Sequence, residues 1–471
     1  DIPQPVITIY NALQKAGHQV YFVGGCVRDM LLEKSVKDWD LTTNATPEEI
    51  LKVFPDGFYD NQFGTVGVPI SSGFMVRSSE QDTKDFTANN EPPTTNQVVE
   101  ITTFRTEQNY TDSRHPGEVA WGKTIEEDLQ RRDFTINAMA LRFTQGKSDY
   151  ELVDPYHGQK DLKNKIIRAV GNPNERFKED ALRLMRAIRF ATQLSFTIEE
   201  ATWEAIQQDA QILPNISAER IRDEFLKILA SEYPYEGVML LKNADLLQHI
   251  LPELLEGIGV DQERPGRHHV ADVFTHNVMS LKHTPAISPI VRFATLIHDI
   301  GKPKVQSFDK DGFVIFYNHE IAGATLAYEI CDRLRFSKKD KKKVITLIRW
   351  HMFTVDEHIT DSAVRRFIRR IGIDNVKDMI DLRIGDRLGS GTQTAESWRL
   401  KLFKERIEKE LLPGPFSIND LAIDGNDIMK ELNMQPGPKI GELLQKLFEE
   451  VDENLDLNTK DYLLKRVKEI A

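Results

Sequence analysis

The chain has 471 residues, 40% hydrophobic and 28% charged, enough apolar material for sizeable cores and too much for a disordered polypeptide. With 61 Lys and Arg against 73 Asp and Glu the formal charge is −12, which counts against a broadly basic nucleic-acid-binding surface unless positive charge is gathered locally. The length suggests about three or four units of roughly 100–200 residues, and the two cysteines, Cys26 and Cys331, are too few and too far apart for a disulfide framework or a Cys-rich zinc finger.

The opening Asp1-Ile2-Pro3-Gln4-Pro5 has neither the basic flank nor the apolar run of a secretory signal. No run of about 18 apolar residues occurs anywhere, so the expected setting is reducing and cytoplasmic, with no membrane partner. Strands are predicted at 20–23 and 100–104 from their β-branched and aromatic content, and helices at 29–33 and 47–54. The stretch 71–97, rich in Ser, Thr, Asn and Asp and holding Pro92-Pro93, reads as a polar loop or insertion. Beyond about Asn172 apolar residues recur at helical spacing, as in Leu182, Met185 and Ile188, and the rest of the chain is expected to be mainly α-helical. Joints are expected at 144–148, 252–265, 389–391 and 412–415. The basic clusters at 338–343, at Arg365-Arg366 with Arg369-Arg370, and at Arg183, Arg186 and Arg189 each read as solvated helix faces.

Asp38-Trp39-Asp40 sets two carboxylates at i and i+2, on one face if the segment is a strand. Hard cations such as Mg²⁺ take oxygen ligands, and Glu100, at the start of another predicted strand, is the best-placed third carboxylate. Such a pair alone usually means an acidic turn. Here it follows Gly24-Gly25-Cys26-Val27-Arg28-Asp29, where small residues at a strand-to-helix turn let the backbone approach a phosphate and Arg28 can add a forked contact.

These residues resemble the class II tRNA nucleotidyltransferases, the CCA-adding enzymes, and their bacterial poly(A) polymerase relatives. The resemblance lies in an ordered series: Gly24 to Leu32, Asp38 to Thr43, Glu100 to Arg105, Tyr110 to Arg114, and Arg131 to Met139. It implies that Asp38 and Asp40 hold Mg²⁺ and, with Glu100, form the catalytic set. Gly24, Gly25, Arg28, Arg105, Arg114, Arg132, Asp133 and Asn137 would then meet the incoming nucleotide, Arg132 suiting phosphate oxygens and Asp133 the ribose 2′-hydroxyl. The family commonly has a second Arg after Arg114, where this chain has His115.

Glu179, Asp180 and Arg183 are spaced i, i+1 and i+4, so all three are expected on one helical face. By themselves they read as a surface ion-pair ladder. In similar proteins Asp180 and Arg183 present an acceptor and donors to the Watson–Crick edge of cytosine or adenine, Glu179 orients Arg183, and no nucleic-acid template is needed. Arg186 continues the row. Ser217 is expected to cap a helix, braced by Arg220 with Asp223 or Glu224.

His298-Asp299 ends an apolar helix, and adjacent His and Asp suit a mixed nitrogen and oxygen metal site. With His276, His319, His351 and Asp386 it resembles HD-domain phosphohydrolases. The resemblance implies a first metal on His276, His298, Asp299 and Asp386 and an enlargement by His319 and His351, holding a divalent transition metal and able to activate water.

The fold class implied is α+β. A polymerase β-like nucleotidyltransferase head (1–145) precedes an all-α neck (146–260), an HD domain (261–395) and a helical, tRNA-binding tail (396–471). The implied reaction is template-independent addition of the 3′-terminal CCA to tRNA from CTP and ATP with release of pyrophosphate. Alternatives are a CC-adding or A-adding partial enzyme, a poly(A) polymerase, and an HD phosphohydrolase with a non-catalytic head.

Overall fold

The computed structural model describes residues 2–60, 65–70, 98–105, 121–143, 150–262, 271–353, 358–392, 394–411 and 416–471. The 71–97 stretch, Arg114 with its neighbours, and the expected joints at 144–148 and 412–415 lie wholly or almost wholly outside the described residues. The chain divides into two compact units, Asp1–Pro252 and Glu253–Ala471. Among the described residues no helix is long and apolar enough to cross a membrane.

The first unit opens with α1 (Gln4–Lys15), β1 (Val20–Val23), α2 (Gly25–Leu31), β2 (Trp39–Thr43), α3 (Pro47–Val53), β3 (Phe58–Asp60), β4 (Thr65–Pro69) and β5 (Val98–Thr103). It continues with α4 (Ile125–Gln130), β6 (Ala140–Phe143) and β7 (Tyr150–Val153). The strands form one sheet in the order β3-β4-β5-β2-β1-β6-β7. Only β2 with β5 is a parallel pair, a connection that hairpins cannot make. Thr46 and Thr124 start α3 and α4 as capping boxes, each satisfied by a Glu three residues on.

The sheet is followed by α5 (Gly158–Asn164), β8 (Ile166–Ile167), α6 (Pro173–Glu179), α7 (Leu182–Leu194), β9 (Thr197–Ile198), α8 (Glu200–Asp209), α9 (Ala218–Leu229), α10 (Pro234–Asn243), α11 (Leu247–Ile250) and α12 (Pro252–Leu255). The predicted stripe on α7 is buried, with Leu184, Met185 and Ile188 all at 0% exposure.

In the second unit run α13 (Val273–His283), α14 (Pro289–Leu296), α15 (Lys302–Val305), β10 (Ser307–Phe308), β11 (Val314–Ile315), α16 (His319–Arg333), α17 (Lys338–Trp350), α18 (Asp361–Ile371), α19 (Val376–Gly389) and α20 (Trp398–Leu411). It ends with α21 (Gly425–Leu432), α22 (Pro438–Glu453) and α23 (Lys460–Ile470), which share a core of Ile428, Leu443, Leu447, Val451 and Leu463. The cluster at 365–370 is only in part the solvated face expected from its charge: Arg366 and Arg370 are exposed, but Arg365 and Arg369 are not. Arg365 is buried, its Nε donating to Asp452 Oδ1 at 2.8 Å, and Arg369 Nη2 reaches Asp452 Oδ2 at 2.5 Å, so these guanidiniums bolt α18 to α22. Buried charges require such partners.

Candidate active site

Trp39 and Leu41 of β2 point into the core at 6% and 0% exposure, so the alternation of a strand turns Asp38, just before β2, and Asp40 to the opposite face. The parallel register places Glu100 of β5 directly beside Asp40. Burial, then Glu100, push Asp40 up to about 7, with Asp38 adding to the effect and Arg132 and Arg28 only partly offsetting it. A carboxylate so crowded with negative charge is suited to a divalent cation. The three carboxylates are not drawn tight: among the described residues the groups of ligand atoms lying within 4.8 Å of one another are all in the second unit.

Gly24, at the turn from β1 into α2, has φ +70°, a conformation that side chains rarely adopt. A Cβ there would stand 2.9 Å from Arg132 Nη1 and 3.7 Å from Asp40 Oδ2, so the glycine keeps clear the space beside both groups. Arg132 is fixed from behind by Asp128, whose Oδ2 accepts from Nη2 at 2.9 Å while its Oδ1 accepts from Arg131 Nη2 at 2.8 Å. Sequence reasoning passed over Asp128; its position three and four residues before Arg131 and Arg132 was the available signal.

Arg28 Nη1 donates to Asn137 Oδ1 at 2.9 Å, and Asn137 Nδ2 donates to Asp133 Oδ1 at 3.3 Å. Asp133 Oδ2 accepts from Arg186 Nε at 2.7 Å and Nη2 at 2.5 Å. Burial alone would raise Asp133, but Arg186 and Arg183 outweigh it and hold the carboxyl at about 2. The guanidiniums of Arg28, Arg186 and Arg189 lie 5.3, 5.3 and 4.1 Å from the centre of the Phe190 ring, which serves as their common platform. Phe190 reads in sequence as ordinary core. The structure therefore brings together Gly24, Gly25, Arg28, Asp40, Arg132, Asp133, Asn137 and Arg186, while Arg105 sits apart, its Nη2 donating to Thr65 Oγ1 at 3.2 Å.

The expectation of one helical face for Glu179, Asp180 and Arg183 is wrong. Helix α6 ends at Glu179, Asp180 is extended at φ −145° and ψ 101°, and α7 begins at Leu182. At the break Asp180 Oδ1 accepts from the Leu182 amide at 3.1 Å, just ahead of the cap position of α7 at Ala181, while Oδ2 accepts from Arg220 Nη2 at 2.8 Å. Arg183 still meets Glu179, its Nη1 donating to Oε2 at 2.6 Å, and Nη2 donates to the Arg131 carbonyl at 2.7 Å. Ser217 occupies the cap position of α9 without a capping hydrogen bond from its side chain, and Arg220 braces Asp180 rather than its own turn.

In the second unit the six predicted residues converge. His276 Nε2 lies 3.1 Å from His298 Nε2 and 3.2 Å from both Asp299 Oδ2 and Asp386 Oδ1. The other oxygen of Asp299, Oδ1, is 3.2 Å from His319 Nε2 and 3.5 Å from His351 Nε2. Three histidines are oriented alike: Nδ1 of His298, His319 and His351 donates to the carbonyl three residues earlier, on Thr295, Phe316 and Ile348, at 2.8, 2.8 and 2.6 Å. This fixes Nε2 as the free ligand atom. Gly301 allows the approach of α16, since a Cβ there would lie 2.2 Å from the His319 carbonyl oxygen. Lys302, three residues after Asp299, places Nζ 2.5 Å from Asp299 Oδ2.

Residues 20–168 match the Poly A polymerase head domain, 195–257 the RNA and SrmB-binding site of polymerase A, and 315–467 the tRNA nucleotidyltransferase domain 2. The chain is 38% identical to an A-adding tRNA nucleotidyltransferase of Deinococcus radiodurans over 69% of this chain and 75% of that one. It is 31% identical to a CCA-adding enzyme of Limosilactobacillus reuteri over 99% and 97%. The Bacillus stearothermophilus CCA-adding enzyme solved in complex with CTP shares the fold, with a TM-score of 0.67 and 24% identity across 100% of this chain and 98% of that one. With near-complete coverage of a relative at that identity, and a carboxylate-bearing head of the expected kind, the chain belongs to the tRNA nucleotidyltransferase family of the CCA-adding enzymes.

Proposed function

We propose that residues 1–145 catalyse transfer of CMP and AMP from CTP and ATP to the 3′-hydroxyl of tRNA, building the terminal CCA with release of pyrophosphate. The observation that carries this reading is the pairing of Asp40 with Glu100, beside Asp38 and in front of the Gly24 and Arg132 cradle. Asp38, Asp40 and Glu100 would hold Mg²⁺, which when bound would supply positive charge beside the attacking hydroxyl and the departing pyrophosphate. Arg132 and Arg28 take triphosphate oxygens, and Asp133, kept ionised by Arg186, accepts from the ribose 2′-hydroxyl. Base selection rests on Asp180 and Arg183. In the structure described Asp180 is engaged by Arg220, so base reading requires Asp180 to exchange that partner for the incoming base.

Residues 146–260 carry this selecting element and 396–471 contribute to holding tRNA, by shape and backbone rather than by sequence. Residues 261–395 form a metal centre of the HD type, supported by the way Asp299 divides its two oxygens between His276 with His298 and His319 with His351. An A-adding specificity is the second reading, favoured by the 38% identity to an A-adding relative.

The test uses tRNA transcripts ending at the discriminator base, at C and at CC, each with Mg²⁺ and CTP, ATP or both, with products sized to the nucleotide. All three should be completed to CCA by the wild type and none by Asp40→Asn. Extension of the CC-ended transcript alone would establish the A-adding reading, and long A tails a poly(A) polymerase.

A further inference from the structure

In the second unit a cleft of about 430 Å³ opens between α19 and the start of α20, lined by Phe353, Arg383, Arg387, Ser397, Trp398 and Arg399. Its volume is within the range of small-molecule sites, about 300–1,000 Å³. Three guanidiniums face one space. Several other arginines of this unit are paired with carboxylates, as Arg365 with Asp452 and Arg406 with Asp361. Arg387 and Arg399 form no ion pair among the described residues, and Arg387 Nε is buried without a hydrogen-bond partner there. A buried donor in that state calls for an acceptor. Trp398 is 58% exposed, with the Arg399 guanidinium 5.4 Å from its ring centre, and Arg383 lies 5.6 Å from the ring centre of Phe353. Arg383 Nη1 also donates to Asp386 Oδ2 at 3.0 Å, so the cleft shares a wall with the histidine cluster.

A ligand that answers each of these features carries an anion with several acceptor oxygens and a flat aromatic group. A carboxylate-bearing peptide would use the guanidiniums and leave the indole idle. We propose that this cleft is a second nucleotide-binding site, taking a nucleoside monophosphate unit with its phosphate on Arg387 and Arg399 and its base stacked on Trp398. Binding here needs neither the head nor a metal in the histidine cluster. The unit can come free or as the end of single-stranded RNA.

The test is equilibrium binding of AMP, of an adenylate trinucleotide and of inorganic phosphate to the full chain, compared with Arg387→Gln and Trp398→Ala. Trp398 is an exposed side chain, so its truncation leaves the core intact, and thermal melting checks the folding of both variants. Both substitutions should weaken AMP binding by about tenfold or more, while CCA addition to tRNA transcripts by Arg387→Gln stays at the wild-type rate. A trinucleotide that binds more tightly than AMP identifies RNA as the source, and equal binding identifies the free nucleotide. AMP affinity unchanged in both variants, or inorganic phosphate bound as tightly as AMP, would overturn the proposal.

Discussion

Asp40 bears a charge that its surroundings in the head resist. Its carboxyl, pushed up to about 7 by burial, Glu100 and Asp38, has a folded-state value above the unfolded one, so the cost of ionising it is absent below about pH 4 and complete above about pH 7. Asp40→Asn removes that cost. In metal-free buffer the variant should match the wild type in stability at pH 4 and exceed it at pH 8 by on the order of 2 kcal/mol after solvent screening, while nucleotide addition is lost. Melting curves at the two pH values check this; equal stability at pH 8 would show that Asp40 is not under strain. Asp133 is the opposite case. Burial is outweighed there by Arg186 and Arg183, which hold it at about 2, so it contributes stability at neutral pH that is lost as pH falls from about 4 toward 2.

At the scale of helices, close approach and buried charge decide which element sits where. Gly301 admits α16: an added Cβ would lie 2.2 Å from the His319 carbonyl oxygen and 2.4 Å from the Gly323 amide nitrogen. Gly301→Ala should therefore displace His319 while leaving His276 and His298 in place, and metal titration should show fewer equivalents bound than in the wild type. Asp452 holds two guanidiniums of α18. Asp452→Ala leaves the buried Arg365 with Glu410, at 3.3 Å, as its remaining carboxylate and should destabilise the second unit by about 3 kcal/mol in a denaturant melt; a loss under 1 kcal/mol would mean that Glu410 alone satisfies Arg365.

The same elements show what a one-dimensional reading contains. Glu100 was legible because it opened a predicted strand, Asp40 because of its i, i+2 partner after a glycine turn, and the convergence of His276, His298, Asp299, His319, His351 and Asp386 because their order resembles a known series. The break at Asp180 was not, because the spacing of Glu179 and Arg183 is helical and the side chain that engages Asp180 at the break is Arg220, 40 residues away. Nor was the burial of Arg365, whose acceptor stands 87 residues on. The three carbonyls that orient His298, His319 and His351 are backbone atoms and have no sequence signature.

Across the whole molecule, a net charge of −12 opposes the approach of any polyanion. The platform on Phe190 gathers three guanidiniums that are each already paired, Arg28 with Asp29, Arg186 with Asp133 and Arg189 with Glu224, so a polyanion gains contacts there only by exchanging with those carboxylates. The two effects have different ranges. Net repulsion acts over the Debye length, about 30 Å at 0.01 M salt and about 10 Å at 0.1 M, whereas contacts at the ring act within a few ångströms and weaken only as salt competes for the phosphates. The second-order rate of tRNA capture should therefore pass through a maximum as ionic strength rises, first gaining as repulsion is screened and then falling as contacts are lost. A stopped-flow series from 10 to 500 mM salt would reveal it, a monotonic fall meaning that local attraction governs at every distance. Phe190→Leu, which removes the ring and leaves all three arginines, should lower the peak, so an apolar core residue would set the ionic conditions under which the enzyme finds its RNA.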